Sequence, residues 1–313
     1  MTSRQRFGAV DIALLAVAAT WGSSYLSAKS TVTPDTVLGF LALRFGIAVC
    51  LLTVLLAPRL RQTSLEELRL GALYGAILAV VFLLETFGVT DTTASNAGLI
   101  ISLTMLMTPW LEATLKRQRL SHGYVAAVLL ALTGVALLTQ AEGLAAPTWG
   151  DLLILAAAAV RAIHVTVIDH TTTPGRIDTA RVTLIQLATV MVSLGLLAST
   201  VSTSPVSLAA TFSATQWITT IYLAVLCTVF AFFVQIWAVR RTSPSRVSLL
   251  LGTEPLWAAV MGISMGGEPL TLAVIAGAAC ILAGTTVGRT TQLERLEPAM
   301  ETEPELVGVN CGH

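Results

Sequence analysis

The sequence predicts an all-α membrane protein: ten transmembrane helices in two inverted five-helix repeats, with both termini cytoplasmic. Three observations carry this. Of 313 residues, 55% are hydrophobic and 12% are charged, about half the charged share of an average soluble domain. The apolar residues stand in blocks of the roughly 20 residues that one helical crossing requires. Basic residues gather in every second connection between the blocks.

The expected spans are 9–28, 36–57, 69–88, 93–113, 122–140, 149–168, 179–199, 215–237, 246–265 and 270–288. The blocks are continuous runs of Ala, Leu, Val and Gly, which suits helices that satisfy their own backbone hydrogen bonds rather than alternating barrel strands. The first block follows Arg4 and Arg6 and superficially resembles a signal peptide. Its length, Trp21 and the equal blocks behind it make it a retained span. With the N-terminus inside, the inner connections hold Arg59, Arg61, Arg69, Lys116, Arg117, Arg119, Arg176, Arg181, Arg240, Arg241 and Arg246. The outer loops 141–148, 200–214 and 266–269 hold no basic residue. The expected organisation is a short cytoplasmic N-terminus 1–8, a first repeat 9–140, a periplasmic linker 141–148, a second repeat 149–288 and an acidic tail 289–313. Too polar to build a core, that tail is expected to be a disordered cytoplasmic end.

The repeat is legible in the residues. Asp11 opens DIALLAVAAT and Asp151 opens DLLILAAAAV, an offset of 140. TTASNAGLI at 92–100 faces TSPSRVSLL at 242–250, and Gly134 aligns with Gly284, an offset of 150. Five spans are an odd number, so the second copy enters the membrane from the opposite side. Such inversion lets one central site open alternately to each face. Gly71 with Gly75, Gly123 with Ala127, and Gly262 with Gly266 are expected to allow close helix approach. Pro109 and Pro255, in the fourth and ninth spans, are candidate gating kinks or fixed bends.

Other chemistries find little support. Acidic and basic residues balance at 18 each, so nothing attracts nucleic acid. Cys50, Cys227, Cys280 and Cys311 and the four histidines form no metal-ligand pattern. No H-E-x-x-H or P-loop occurs, and neither a metal nor a cofactor is expected.

Polar residues inside the spans are the candidate solute site, because burying them in lipid is costly. Trp21 and Tyr25 share one helix face with Ser24 beside them. Arg161 falls near mid-membrane and His164 lies three residues on; Arg161 suits either a solute carboxylate or a buried hydrogen-bond network. Arg44 and Glu85 stand at depths that allow contact, as a structural pair or as part of the site. Glu254 is the membrane carboxylate best placed to titrate during transport; Glu85 and His164 are further coupling candidates. Thr104, Thr108, Gln235 and Trp257 can complete a polar-aromatic pocket. Glu112 and Lys116 read as a helix-end pair, Asp11 and Asp151 as helix-start acids, and Glu268 in GGEPL as a residue that organises a turn.

WGSSYLSAK at 21–29, LALRF at 41–45 and TEPLWAAVMGISMGGEPLT followed by AGAACILAG resemble the drug/metabolite transporter superfamily, in its EamA-type ten-span branch. Arg44 falls at the family's second-span arginine. The resemblance covers about residues 9–289 and extends to exporters of aromatic amino acids. It implies export of small metabolites, amino acids first, across a bacterial inner membrane, with membrane lipid and a small solute as partners. The first half departs from the pattern, having Arg117 and Gln118 where Gly267 and Glu268 match. Each chain carries both repeats, so a functional monomer is expected, with a dimer as the alternative. Competing readings are export of nucleobases, sugars or cationic drugs, a small-solute channel, a non-transporting structural or sensory protein, and an intramembrane enzyme.

Overall fold

A computed structural model describes residues 8–115, 122–139, 147–171, 177–201, 204–239 and 250–301. The helices there are α1 (Ala9–Lys29), α2 (Val37–Leu56), α3 (Leu65–Val89), α4 (Ala94–Ile101), α5 (Thr104–Leu115), α6 (His122–Thr139), α7 (Trp149–Thr171), α8 (Thr179–Val201), α9 (Pro205–Thr211), α10 (Ala214–Ala224), α11 (Ala231–Val239), α12 (Glu254–Ser264) and α13 (Leu272–Glu301). A π-helical segment, Val225–Phe230, joins α10 to α11. Six stretches are long and apolar enough to cross a membrane: Ala9–Lys29, Val37–Gln62, Leu65–Val89, Trp149–Ile168, Thr179–Thr200 and Ala214–Val234. The chain is thus an all-α, multi-span membrane protein. Residues 1–7, 141–146, 246–249 and 302–313, with Arg117 and Gln118, lie outside the described residues.

One acid organises the start of two helices. Ser64 Oγ accepts from Glu67 N at 3.1 Å and Glu67 Oε2 accepts from Ser64 N at 2.8 Å, a reciprocal cap on α3. The same carboxylate takes Asp178 N at 2.8 Å and Arg181 through Nη2 at 2.7 Å and Nε at 3.1 Å, tying the start of α8 to α3. Ser64→Ala is therefore expected to cost about 1 kcal/mol. Glu67→Ala should lower the thermal midpoint of the detergent-purified protein clearly more, because it also frees α8.

Small residues set the helix approach. A Cβ at Gly75 would lie 2.5 Å from the backbone oxygen of Gln186, and one at Gly71 would lie 2.6 Å from Ile185 Cβ, so the α3 backbone meets both backbone and side chains of α8. The α6–α13 contact is reciprocal. Gly134 faces Gly277 O and Ile281, while Gly284 faces Ala127 O and Ala131. Adding 150 converts one set into the other, so two equivalent helices cross on the axis that relates the repeats.

Two stretches, one in each repeat, are broken at the same place. In the first repeat Leu103 N donates to Ile100 O, and Leu106 N and Met107 N both donate to Leu103 O. In the second, Thr253 N donates to Leu250 O, and Leu256 N and Trp257 N both donate to Thr253 O. All three bonds correspond at an offset of 150. Ser102 and Thr253 hydroxyls each bond back to a carbonyl three residues earlier. The interruptions fall at Ser102–Leu103 and Gly252–Thr253, not at the prolines. Pro255 is buried in the first turn of α12, where it has no helical partner to lose. Pro109 lies on within α5, and its side chain is outside the described residues. Composition predicts a disordered tail from residue 289, and α13 runs on through that boundary to Glu301. Its Glu, Leu, Arg and Ala residues are good helix formers even without an apolar face.

Candidate functional site

The polar candidates converge from α1, α3, α7 and α12. Arg161 stands about 18 Å along α7 from Trp149. Its Nη1 is 3.9 Å from Glu85 Oε2 on α3, and its Cζ lies 5.6 Å from the centroid of the Trp21 ring on α1. One turn along α1, Tyr25 donates its hydroxyl to Glu254 Oε1 at 2.7 Å. Glu85, Glu254 and Tyr25 all act electrostatically on Arg161. The Arg161 side chain is 23% exposed and that of Glu85 14%, so both keep surface that a solute can touch. At an offset of 140 Trp21 is the repeat equivalent of Arg161. Equivalent positions therefore meet, one supplying an aromatic face and the other a cation.

Glu254 begins α12 directly after the ninth-span break, where the helix dipole favours an acid. Its repeat equivalent, Thr104, begins α5 after the fourth-span break and donates to Ala158 O at 3.2 Å. Two half-helices thus start beside the site, a construction used where transporters bind solutes in mid-membrane.

Other candidates lie elsewhere. Ser24 bonds back to Trp21 O at 2.6 Å, and Thr108 to Thr104 O at 2.8 Å, within their own helices. Trp257 is 38% exposed beside Gly22. The Gln235 side chain is outside the described residues, as is the Glu112–Lys116 pair. His164 is buried and turned toward α3, with its ring 6.4 Å from Tyr74 in an edge-on arrangement. Its Nε2 has no hydrogen-bond partner among the described residues. Arg44 does not pair with Glu85; it lies between Phe45 and Phe82, at 5.7 and 5.2 Å from the ring centroids.

A second polar group, around the π segment, was not anticipated. Trp21 Nε1 donates to Cys227 O at 2.9 Å, and Thr228 Oγ1 donates to Leu223 O, five residues back, at 2.9 Å. Such widened turns release backbone carbonyls and recur at functional sites. The Tyr222 hydroxyl meets Ser23 Oγ beside it. Thr228 as the polar residue within AVLCTVFAFF was the available signal.

One end of the bundle is sealed over the site. Tyr25, Ala28, Ala94, Ala97, Ile100 and Ala258 share one buried core. Glu268 accepts from Ala94 N at 2.6 Å and Ser95 N at 3.1 Å, so a turn of the second repeat caps α4 in the first. Gly267, at φ 69°, takes the left-handed conformation that folds this turn back. Lys29 Nζ donates to Thr92 O, and Thr92 Oγ1 to Asp151 Oδ1, across the same end. Among the described residues, no group of His, Cys, Asp and Glu is arranged to hold a metal ion.

Comparison with known proteins places this architecture. The EamA-like transporter family matches twice, at residues 8–140 and 148–288. An uncharacterized transporter of Archaeoglobus fulgidus is 25% identical over 84% of this chain and 92% of its own. A probable terminal-alkyne amino-acid exporter of Streptantibioticus cattleyicolor is 26% identical over 91% of this chain and 95% of its own. A Bacillus subtilis uncharacterized transporter is 25% identical over 88% and 85%. A solved crystal structure shares the fold with a TM-score of 0.64, covering 92% of this chain and 98% of its own at 19% identity. With two copies of the family's unit spanning most of its length, the chain belongs to the EamA-like transporters of the drug/metabolite transporter superfamily, a family of multi-pass carriers rather than enzymes.

Proposed function

We propose that this chain is a ten-span exporter that moves small metabolites, amino acids foremost and aromatic ones among them, by alternating access between its two repeats. Both termini face the cytoplasm of a bacterial cell, the protein sits in the inner membrane, and one chain suffices for transport. The observation that carries this reading is the Trp21–Arg161–Glu85 group joined to Tyr25–Glu254 beside two broken helices. Buried charge beside aromatic faces suits a solute that is polar at one end and apolar at the other. The similarity to a probable terminal-alkyne amino-acid exporter agrees with that cargo class.

The test is flux in proteoliposomes with a panel of amino acids, nucleobases, sugars and cationic compounds. Saturable movement and counterflow of an aromatic amino acid are expected. Unsaturable flux without counterflow would make the protein a channel, and preference for another class would replace the cargo.

A further inference from the structure

The Arg161 guanidinium is already supplied with anions: Glu85 Oε2 lies at 3.9 Å, and the Glu254 carboxylate stands beside it through Tyr25. Two carboxylic acids face one arginine. A further carboxylate arriving there meets two like groups, whereas an ammonium is attracted by them.

Arg44 has sparser surroundings, with Glu85 acting on it only from beyond ion-pair distance. The residue is 5% exposed. Its Nε and Nη2 both reach Thr228 Oγ1, at 3.4 and 3.3 Å, so one oxygen serves two donors. The hydroxyl proton of Thr228 is committed to Leu223 O, which turns its lone pairs toward Arg44. Among the described residues no carboxylate comes within 4.0 Å of this guanidinium. A guanidinium has five N–H donors in a planar fork that matches a carboxylate. A buried cation so poorly partnered is costly unless an anion completes it. Trp21 joins the two places: its ring lies against Arg161, and its N–H holds Cys227 O, next to Thr228.

We infer that Arg44 receives the solute's carboxylate while the Glu85–Arg161–Glu254 group receives its ammonium, so that the cargo is selected as a zwitterion beside Trp21. This rests on the amino-acid reading above and gives the carboxylate contact to Arg44, leaving Arg161 the buried-network role that was its alternative in the sequence. The aromatic or aliphatic side chain of the solute is left to pack along the indole.

The test uses the full-length protein in proteoliposomes, with L-phenylalanine as the transported probe. Phenethylamine and 3-phenylpropionate, which lack the carboxylate and the ammonium respectively, serve as competitors. Arg44→Gln should raise the KM for phenylalanine about tenfold or more, the scale of a lost charge-assisted contact. It should weaken competition by 3-phenylpropionate and leave that by phenethylamine within about twofold. Glu254→Gln should show the converse. Arg44→Lys, which keeps the charge without the fork, should fall between wild type and Arg44→Gln. If Arg44→Gln is not monodisperse in detergent, Arg44→Lys is read by the same criterion. An unchanged phenylalanine KM, equal loss of both competitors, or a carboxylate-selective loss in Arg161→Gln instead would overturn the assignment while leaving amino-acid transport standing. Wild-type protein that neither carries nor is protected by phenylalanine would remove the cargo reading and this assignment together.

Discussion

Arg161→Leu is expected to abolish saturable transport and to destabilise the protein by about 3 kcal/mol, the scale for removing one partner of a buried charge pair. Loss of the guanidinium leaves Glu85 facing a low-dielectric interior without the cation 3.9 Å from it. It also removes the group lying on the Trp21 ring. The charge argument makes a sharper statement than the single substitution. Glu85→Gln with Arg161→Leu should recover part of the stability lost in Arg161→Leu alone, because the orphaned carboxylate is gone. A double-mutant cycle on thermal midpoints in detergent measures this coupling. If the two losses simply add, Glu85 and Arg161 do not interact energetically despite their 3.9 Å approach.

The second large effect is expected at Glu268. Its two carboxylate oxygens take Ala94 N and Ser95 N, which have no partner inside α4 because they belong to its first turn. Glu268→Ala removes that cap and releases the turn that holds α12 against α4. A cap of this kind is worth about 1–2 kcal/mol, which changes an open-to-closed ratio by about 5–30-fold. Ala97, fully buried beneath the seal, reports the change. In a cysteine-free background, Ala97→Cys should react slowly with a membrane-impermeant maleimide added from the side carrying residue 268. Glu268→Ala should speed that labelling by a factor in the same range, and Glu268→Gln, which keeps one acceptor, by less. Equal labelling rates would make the contact a passive packing feature rather than a part of the closure.

How far the site was legible before the fold was known depended on the kind of relation involved. Spacing alone puts Tyr25 and Trp21 on a common helix face; Arg161 and His164, three residues apart, point to different neighbours. Arg161 reaches toward Glu85, whereas His164 turns to Tyr74. Arg44 and Glu85 were matched by depth, but depth does not specify which helices are neighbours, and α2 carries Arg44 against Thr228 of the π segment instead. Proline suggested where the fourth and ninth spans bend. The interruptions lie earlier, at Ser102–Leu103, six residues before Pro109, and at Gly252–Thr253, two residues before Pro255, where a hydroxyl and a shortened turn re-satisfy backbone carbonyls.

By itself the sequence determined the helical, membrane-spanning class and the duplicated plan. Both follow from local requirements: a peptide group in hydrocarbon must bond within its own helix, and a repeated pattern of small and acidic residues survives as a constant offset. Only the tertiary structure decided which buried charges meet, which arginine has no carboxylate within 4.0 Å among the described residues, and that Glu268 caps a helix of the other repeat. Those outcomes depend on helix rotation and register, which are set by where glycines such as Gly22, Gly75 and Gly134 admit a neighbouring backbone. Contacts between residues more than a hundred positions apart have no signature in the spacing of either residue's own helix.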